Sequence, residues 1–195
     1  MSRRNCEALF EKYALANFQK DMKIFEIAPE RQLHIKKTID DKLGIDNYDY
    51  YYTDIDEEEM MKIVNNEYNR AESKLDKNNY IKALSEYKFD VEDNTFDIVY
   101  SNNVSEHVRW LWVWMEEIYR IIKPGGIVIT HNPFTERYHE APIDCWRIFP
   151  EGFNSLYSYA GFVDTMGTIE HVKPEDDGMQ HLDTIAIATK PTEGE

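Results

Sequence analysis

Residues 96–133 read FDIVYSNNVSEHVRWLWVWMEEIYRIIKPGGIVITHNP. Phe96 to Tyr100 is a short apolar run of β-formers, the mark of a buried strand. Ser101, Asn102 and Asn103 end it with polar side chains that suit a strand end or a helix cap. Val108, Leu111, Met115, Ile118, Tyr119 and Ile122 then recur at helical spacing. Lys123 complements the helix C-terminus, Pro124 stops the helix and Gly125-Gly126 turn the chain. Ile127 to Thr130 reads as a second buried strand. Strand, helix and strand of these lengths predict a βαβ crossover, and with it a parallel sheet covered on both faces.

On the N-terminal side, residues 5–20 predict a helix with Ala8, Leu9, Ala14, Leu15 and Phe18 on its apolar face. Lys23 to Ile27 is a strand in which Glu26, otherwise among apolar neighbours, needs a partner. A loop, Ala28-Pro29-Glu30-Arg31, leads to a helix through Leu33, Ile35 and Ile39. Nucleotide-type ligands sit at such strand-to-helix turns because the helix N-terminus offers unpaired N–H groups. Tyr48 to Asp54 is an aromatic-rich second strand. The carboxylates Asp56 to Glu59 favour the start of a helix expected over Glu57–Lys74, with Met60, Ile63, Val64 and Tyr68 as its stripe. Tyr80 to Leu84 is a weakly marked third strand, followed by Ser85. Trp110 and Trp114 share a helix face that Trp112 does not, so one set belongs to the core.

On the C-terminal side, His131 to Ile148 forms a long irregular stretch, rich in functional side chains, at the sheet's carboxyl edge. Pro150 to Ala160 predicts a helix. Phe162–Val172 and Leu182–Thr189 predict an antiparallel pair joined by a loop at Pro174–Gly178, and Pro191–Glu195 a frayed tail.

The chain has 195 residues, which suits one domain with one sizeable core. Its net charge of −15 repels phosphate backbones and anionic membranes, which argues against nucleic acid or lipid surfaces as partners. The N-terminus lacks the apolar stretch of a signal peptide, and no run is long enough to span a membrane. Cys6 and Cys145 stand apart, without metal spacing, and read as free thiols of a reducing, cytoplasmic compartment, with a bridge as the lesser reading. No metal is expected, since the His and carboxylate residues do not fall in motifs such as H-E-x-x-H.

Phe96-Asp97, Val104, Glu106-His107, Glu117, Arg120 and Lys123-Pro124-Gly125-Gly126 follow the order and spacing of a known pattern. It resembles the second half of a class I S-adenosylmethionine (SAM) dependent methyltransferase of the type-11-like group, and Gly161-Phe162 is similar to that family's lead into its sixth strand. The resemblance covers roughly residues 20–190. It implies a Rossmann-like α/β fold: a mostly parallel seven-stranded sheet with an antiparallel last strand and helices on both faces. Residues 1–20 would form a helical segment packing on a domain spanning 21–190.

The resemblance also implies roles. SAM would be held by Glu26, Ala28, Glu30, Arg31, Asp54, Ser85, Asn102 and Asn103, with Asp54 accepting from the ribose hydroxyls and Ser85 near adenine. The family's first loop is E-x-G-x-G-x-G. Here Ala28 and Glu30 stand at glycine positions and Pro29 has no N–H to give, which resembles a variant that reads Ala-Pro-Glu. Arg31 is then a candidate to meet the methionine carboxylate. Tyr138-His139, Pro142, Asp144, Trp146 and Arg147 are similar to a segment of some members. They offer Tyr138, Trp146 and Arg147 for a small acceptor, with His139, Asp144 or His131 as base. The competing structural reading has Trp146 plugging the core and Arg147 bracing the loop through Asp144. His107 could serve as a base, but reads first as a packed or capping histidine. A sugar or other biosynthetic intermediate suits the acceptor site. The alternatives are a non-catalytic binding or scaffold protein with an altered loop, and a NAD-type dehydrogenase, which the lack of G-x-G-x-x-G disfavours.

Overall fold

The structure, a computed structural model, describes residues 3–140, 142–170, 182–192 and 194. Among them the main sheet has six strands: β1 (Lys23–Ile27), β2 (Asp49–Thr53), β5 (Phe96–Asn102), β6 (Ile122–Pro133), β7 (Val163–Glu170) and β8 (Asp183–Thr189). Their order is β2-β1-β5-β6-β8-β7. The first four run parallel, while β8 is antiparallel to both β6 and β7. Five α-helices are described: α1 (Arg3–Leu9), α2 (His34–Leu43), α3 (Glu57–Val64), α4 (Leu111–Ile121) and α5 (Pro150–Ala160). No helix among the described residues is long and apolar enough to cross a membrane.

The motif residues of the 96–133 stretch act as fasteners. Asp97 opens β5 and accepts from the Lys23 backbone N–H at 2.8 Å, tying the starts of β1 and β5 together. The Lys123 ammonium lies 2.8 Å from both oxygens of Asp97. Lys123 therefore pairs with a strand carboxylate instead of serving the helix C-terminus as expected. Gly125 takes a φ of +79°, a region that favours glycine. A Cβ on Gly126 would lie 2.8 Å from the Asp97 carbonyl oxygen, so only glycine fits the close approach. Glu117 of α4 accepts from the Phe89 N–H at 2.8 Å and from Arg120 at 2.6 and 2.7 Å. Arg120 in turn donates to the Val91 carbonyl. The pair pins the hairpin of β3 (Ala83–Ser85) and β4 (Lys88–Phe89) to the helix.

Each sheet face is covered. On one, Phe25, Phe96, Val99 and Val128 meet Trp114, Met115 and Ile118 of α4 and Phe153 and Tyr157 of α5. On the other, Ile24, Ile98, Ile129 and Ile185 meet Leu9, Phe10, Phe18, Ile35, Ile39 and Met60. Burying one such side chain contributes about 1.5–3 kcal/mol. The N-terminal segment belongs to this second layer: Phe10 packs edge-on against Tyr100 with ring centroids 5.2 Å apart.

Several expectations need correction. The third strand at Tyr80–Leu84 shrinks to one parallel bridge, Tyr52 with Tyr80, so the described sheet has six strands and not seven. The polar run after α3, with few apolar residues to bury, also explains why that helix stops at Val64 well short of Lys74. Helix α4 begins at Leu111, so Trp110 precedes it and stacks on Tyr87 at 5.4 Å; only Trp114 is core. The 174–178 loop and the end of the strand expected to reach residue 172 lie outside the described residues.

Candidate active site

The carboxyl ends of β1, β2 and β5 open into a cleft of about 340 Å³, within the size range of small-molecule sites. Ile27, Ile55, Ala83, Phe89, Val108 and Trp114 form its apolar wall, and Thr53, Asp54, Ser85, Asn103 and His107 supply polar groups. Ala28 also lines it, at a φ of +53° with its N–H donating to the Thr53 carbonyl at 2.8 Å.

Two polar atoms in this wall are orphaned. Thr53 Oγ1 and Asn103 Oδ1 are buried without a hydrogen-bond partner. A buried acceptor left unpaired costs about 1–3 kcal/mol, so both atoms suit a ligand's donors. Asn103 is held at a φ of +55°, its N–H donating to the His131 carbonyl at 2.9 Å and its Nδ2 to Asn102 Oδ1 at 2.8 Å. Asp54 accepts from the Asp56 N–H at 2.9 Å. Burial raises its carboxyl above the ordinary value despite backbone hydrogen bonds from Asp56 and Ile55, because desolvation disfavours the charged form. The helix cap is Asp56, which accepts from the Glu59 N–H at 2.9 Å, so Asp54 is not needed for that task.

Residues 40–130 match a family described as methyltransferase domain. That match spans a little under half of the chain, and the fold is the Rossmann-like one of SAM-dependent methyltransferases. No curated protein sequence matches the chain, but solved structures do. A SAM-dependent methyltransferase from Archaeoglobus fulgidus is 17% identical with a TM-score of 0.69, over 97% of this chain and 95% of that one. A structure from Haloferax volcanii, a methyltransferase with the Trm112 methyltransferase activator, is 17% identical with a TM-score of 0.68, covering 98% and 92%. Phosphoethanolamine N-methyltransferase 2 of Haemonchus contortus, in complex with SAM, is 14% identical with a TM-score of 0.67. The chain matches over 98% of its own length and spans about half, 53%, of that enzyme.

Four of the residues expected at the cofactor, Ala28, Asp54, Ser85 and Asn103, come together around the cleft. The other four do not line it. Glu26 is buried within β1, and burial beside Glu30 raises its carboxyl well above the ordinary value. Glu30 belongs to the turn whose carbonyl accepts from the Leu33 N–H at 3.0 Å. Arg31 points to α3: its Nη2 lies 2.6 Å from Glu59 Oε1, and its guanidinium stacks on Tyr68 at 4.5 Å. Asn102 Oδ1 accepts from the His131 ring Nδ1 at 2.7 Å.

The acceptor residues also need correction. Tyr138, Asp144, Trp146 and Arg147 surround a separate shallow surface pocket and not the cleft. Arg147 grips both oxygens of Asp144 at 2.6 and 2.8 Å, which holds that carboxyl down at about 2 and removes it as a base. Trp146 donates its indole N–H to the Val108 carbonyl at 2.7 Å, fixing the loop to the start of α4. Tyr138 is exposed and bonds Glu140. His131 is buried, and burial alone pushes its pKa down to about 3. Arg147 thus braces the loop through Asp144 as the structural reading had it, but Trp146 is exposed and does not plug the core.

Two groups of metal-ligating side chains converge among the described residues: Cys6, His131 and Asp183, all buried, and Glu106, His107 and His139. The second was missed in the sequence, because His139 lies more than 30 residues beyond the other two and no linear motif joins them. The one available signal was that Glu106-His107 sits where a strand end meets a helix, at the rim where α/β sheets bind ligands.

Proposed function

We propose that this domain is a SAM-dependent methyltransferase acting on a small molecule. The observation that carries the reading is the cleft with Asp54 at the end of β2 and the orphaned Thr53 Oγ1 and Asn103 Oδ1 in its wall. Asp54 would take the ribose hydroxyls, since a carboxylate accepts two hydrogen bonds at once. Asn103 Oδ1 would accept from the cofactor's amino group, and the apolar wall with Ser85 would hold the adenine. When bound, SAM supplies a methyl group on a positively charged sulfur. The domain's own work is to align acceptor and methyl and to exclude water.

The family match and the fold it shares with SAM-dependent enzymes support this reading. Phosphoethanolamine, the acceptor in the Haemonchus enzyme's name, is small and polar. We infer an acceptor of that general size carrying a hydroxyl or amine, with a sugar or biosynthetic intermediate fitting the rim near His107. The test is transfer of isotope-labelled methyl from SAM to a panel of small alcohols, amines and sugars. Transfer that Asp54→Ala weakens supports the reading. SAM binding without transfer to any acceptor class would favour the scaffold alternative.

A further inference from the structure

A hydroxyl acceptor needs to lose a proton, and two of the side chains expected to take it, His131 and Asp144, are committed elsewhere. Beside the cleft, Glu106, His107 and His139 each bring a ligand atom to within 4.8 Å of the others. The hydrogen-bond pattern decides what the rings offer. His107 Nδ1 meets the Ile143 carbonyl, and His139 Nδ1 meets the Arg137 carbonyl at 3.0 Å. A carbonyl oxygen only accepts, so each Nδ1 carries the ring hydrogen and each Nε2 keeps its lone pair. Backbone carbonyls holding the far nitrogen are the usual support of metal-ligating histidines.

The carboxylate completes the set. Glu106 is buried, its Oε2 accepting from Asn132 Nδ2 at 3.2 Å. Its Oε1 is buried without a hydrogen-bond partner and lies 3.7 Å from His107 Nε2. Two imidazoles and one carboxylate are the donor set of open zinc and related sites. Metal–ligand bonds of about 2.0–2.2 Å hold donors roughly 3–3.5 Å apart. The Glu106–His107 pair is near that spacing at 3.7 Å, and His139 brings its ligand atom within 4.8 Å of both. The two rings already meet edge to face, with centroids 5.0 Å apart. The Asp144 Oδ2 that takes the His139 N–H at 2.8 Å holds the backbone beneath the ring.

We propose that Glu106, His107 and His139 bind a divalent cation of the zinc type at the rim of the cleft, with an open position for an acceptor oxygen. The site itself stands without SAM; its use for an acceptor rests on the methyl-transfer reading. In that use the coordinated hydroxyl releases its proton to solvent, its oxygen bonds the methyl carbon, and the carbon–sulfur bond breaks to leave a neutral thioether.

The test titrates the chelator-stripped chain with Co²⁺ and follows visible absorption, then displaces it with Zn²⁺. The expected result is one cation per chain, with affinity reduced at least tenfold in His107→Ala and Glu106→Gln and retained in Cys6→Ser. Circular dichroism checks that the variants are folded. Absence of Co²⁺ binding to the wild type overturns the proposal, whatever the variants do. So does equal binding by folded His107→Ala, or loss in Cys6→Ser, which would assign the cation to Cys6, His131 and Asp183. Calorimetry with SAM on the same stripped chain reads the cofactor separately. SAM binding without Co²⁺ binding would sink the cation site and leave the methyltransferase reading intact.

Discussion

Asp144 and Arg147 face each other through a two-pronged ion pair, Nη1 to Oδ1 at 2.6 Å and Nη2 to Oδ2 at 2.8 Å. The Asp144 side chain is almost wholly buried, so the pair braces the 134–149 loop instead of serving chemistry. Removing one partner of a hydrogen-bonded charge costs about 1.5–3 kcal/mol, or roughly 3–12 °C in Tm for a chain of this size. Arg147→Ala should lower Tm by that amount and leave SAM affinity intact. The pair holds Asp144 at about 2, below the ordinary carboxyl value. Its stability is therefore present above the unfolded pKa and lost as pH falls through the folded one. An unchanged Tm in Arg147→Ala would show that the pair holds nothing.

Arg31 is spent on Glu59 and Tyr68. Half-exposed pairs contribute about 1 kcal/mol or less, so Arg31→Ala should keep both fold and SAM affinity. A tenfold weaker SAM titration would return Arg31 to the methionine carboxylate.

His131 stays neutral because burial pushes its pKa down to about 3. The unfolded residue titrates near 6.5, so the unfolded state binds the extra proton as pH falls between those values. Stability attributable to neutral His131 is full above about pH 6.5 and is lost toward pH 3, with a magnitude of order a few kcal/mol. Melting curves from about pH 7 to pH 4 should fall more steeply for the wild type than for His131→Gln. Parallel curves would contradict the burial argument.

Ala28 takes a left-handed φ of +53°, which costs a non-glycine residue about 1–2 kcal/mol. Glycine relieves that strain but loses about 0.5–1 kcal/mol of chain entropy. Ala28→Gly should gain up to about 1 kcal/mol and retain SAM binding. A lower Tm would mean that the methyl group packs to more effect than the strain costs.

The parts legible in the sequence were those where several residue types agreed. Strand β5, helix α4 and the Pro-Gly-Gly turn were plain because apolar period, stop signal and glycine geometry coincide between Phe96 and Gly126. Asp54 was found at the cleft because a strand end limits where a side chain can go. Arg31 was misplaced because sequence shows a charge but not its partner, and Glu59 is recognisable as that partner only once the backbone is folded; the Arg147–Asp144 pair, three residues apart, was already one of the two readings of its loop. The third strand failed because Tyr80–Leu84 has β-formers at both ends but too little apolar surface to compete with the hairpin at Ala83–Phe89. The Glu106, His107 and His139 group was hidden because its third member comes from a loop without periodicity.

The central claim is that the cleft ending β1, β2 and β5 holds SAM. Isothermal calorimetry with SAM on the wild type and on Asp54→Ala tests it most directly. The account predicts saturable binding of one SAM per chain, weakened by about 1.5–3 kcal/mol in Asp54→Ala, which is roughly 10- to 150-fold. No binding heat with the wild type, or equal affinity in a folded Asp54→Ala variant, would contradict it.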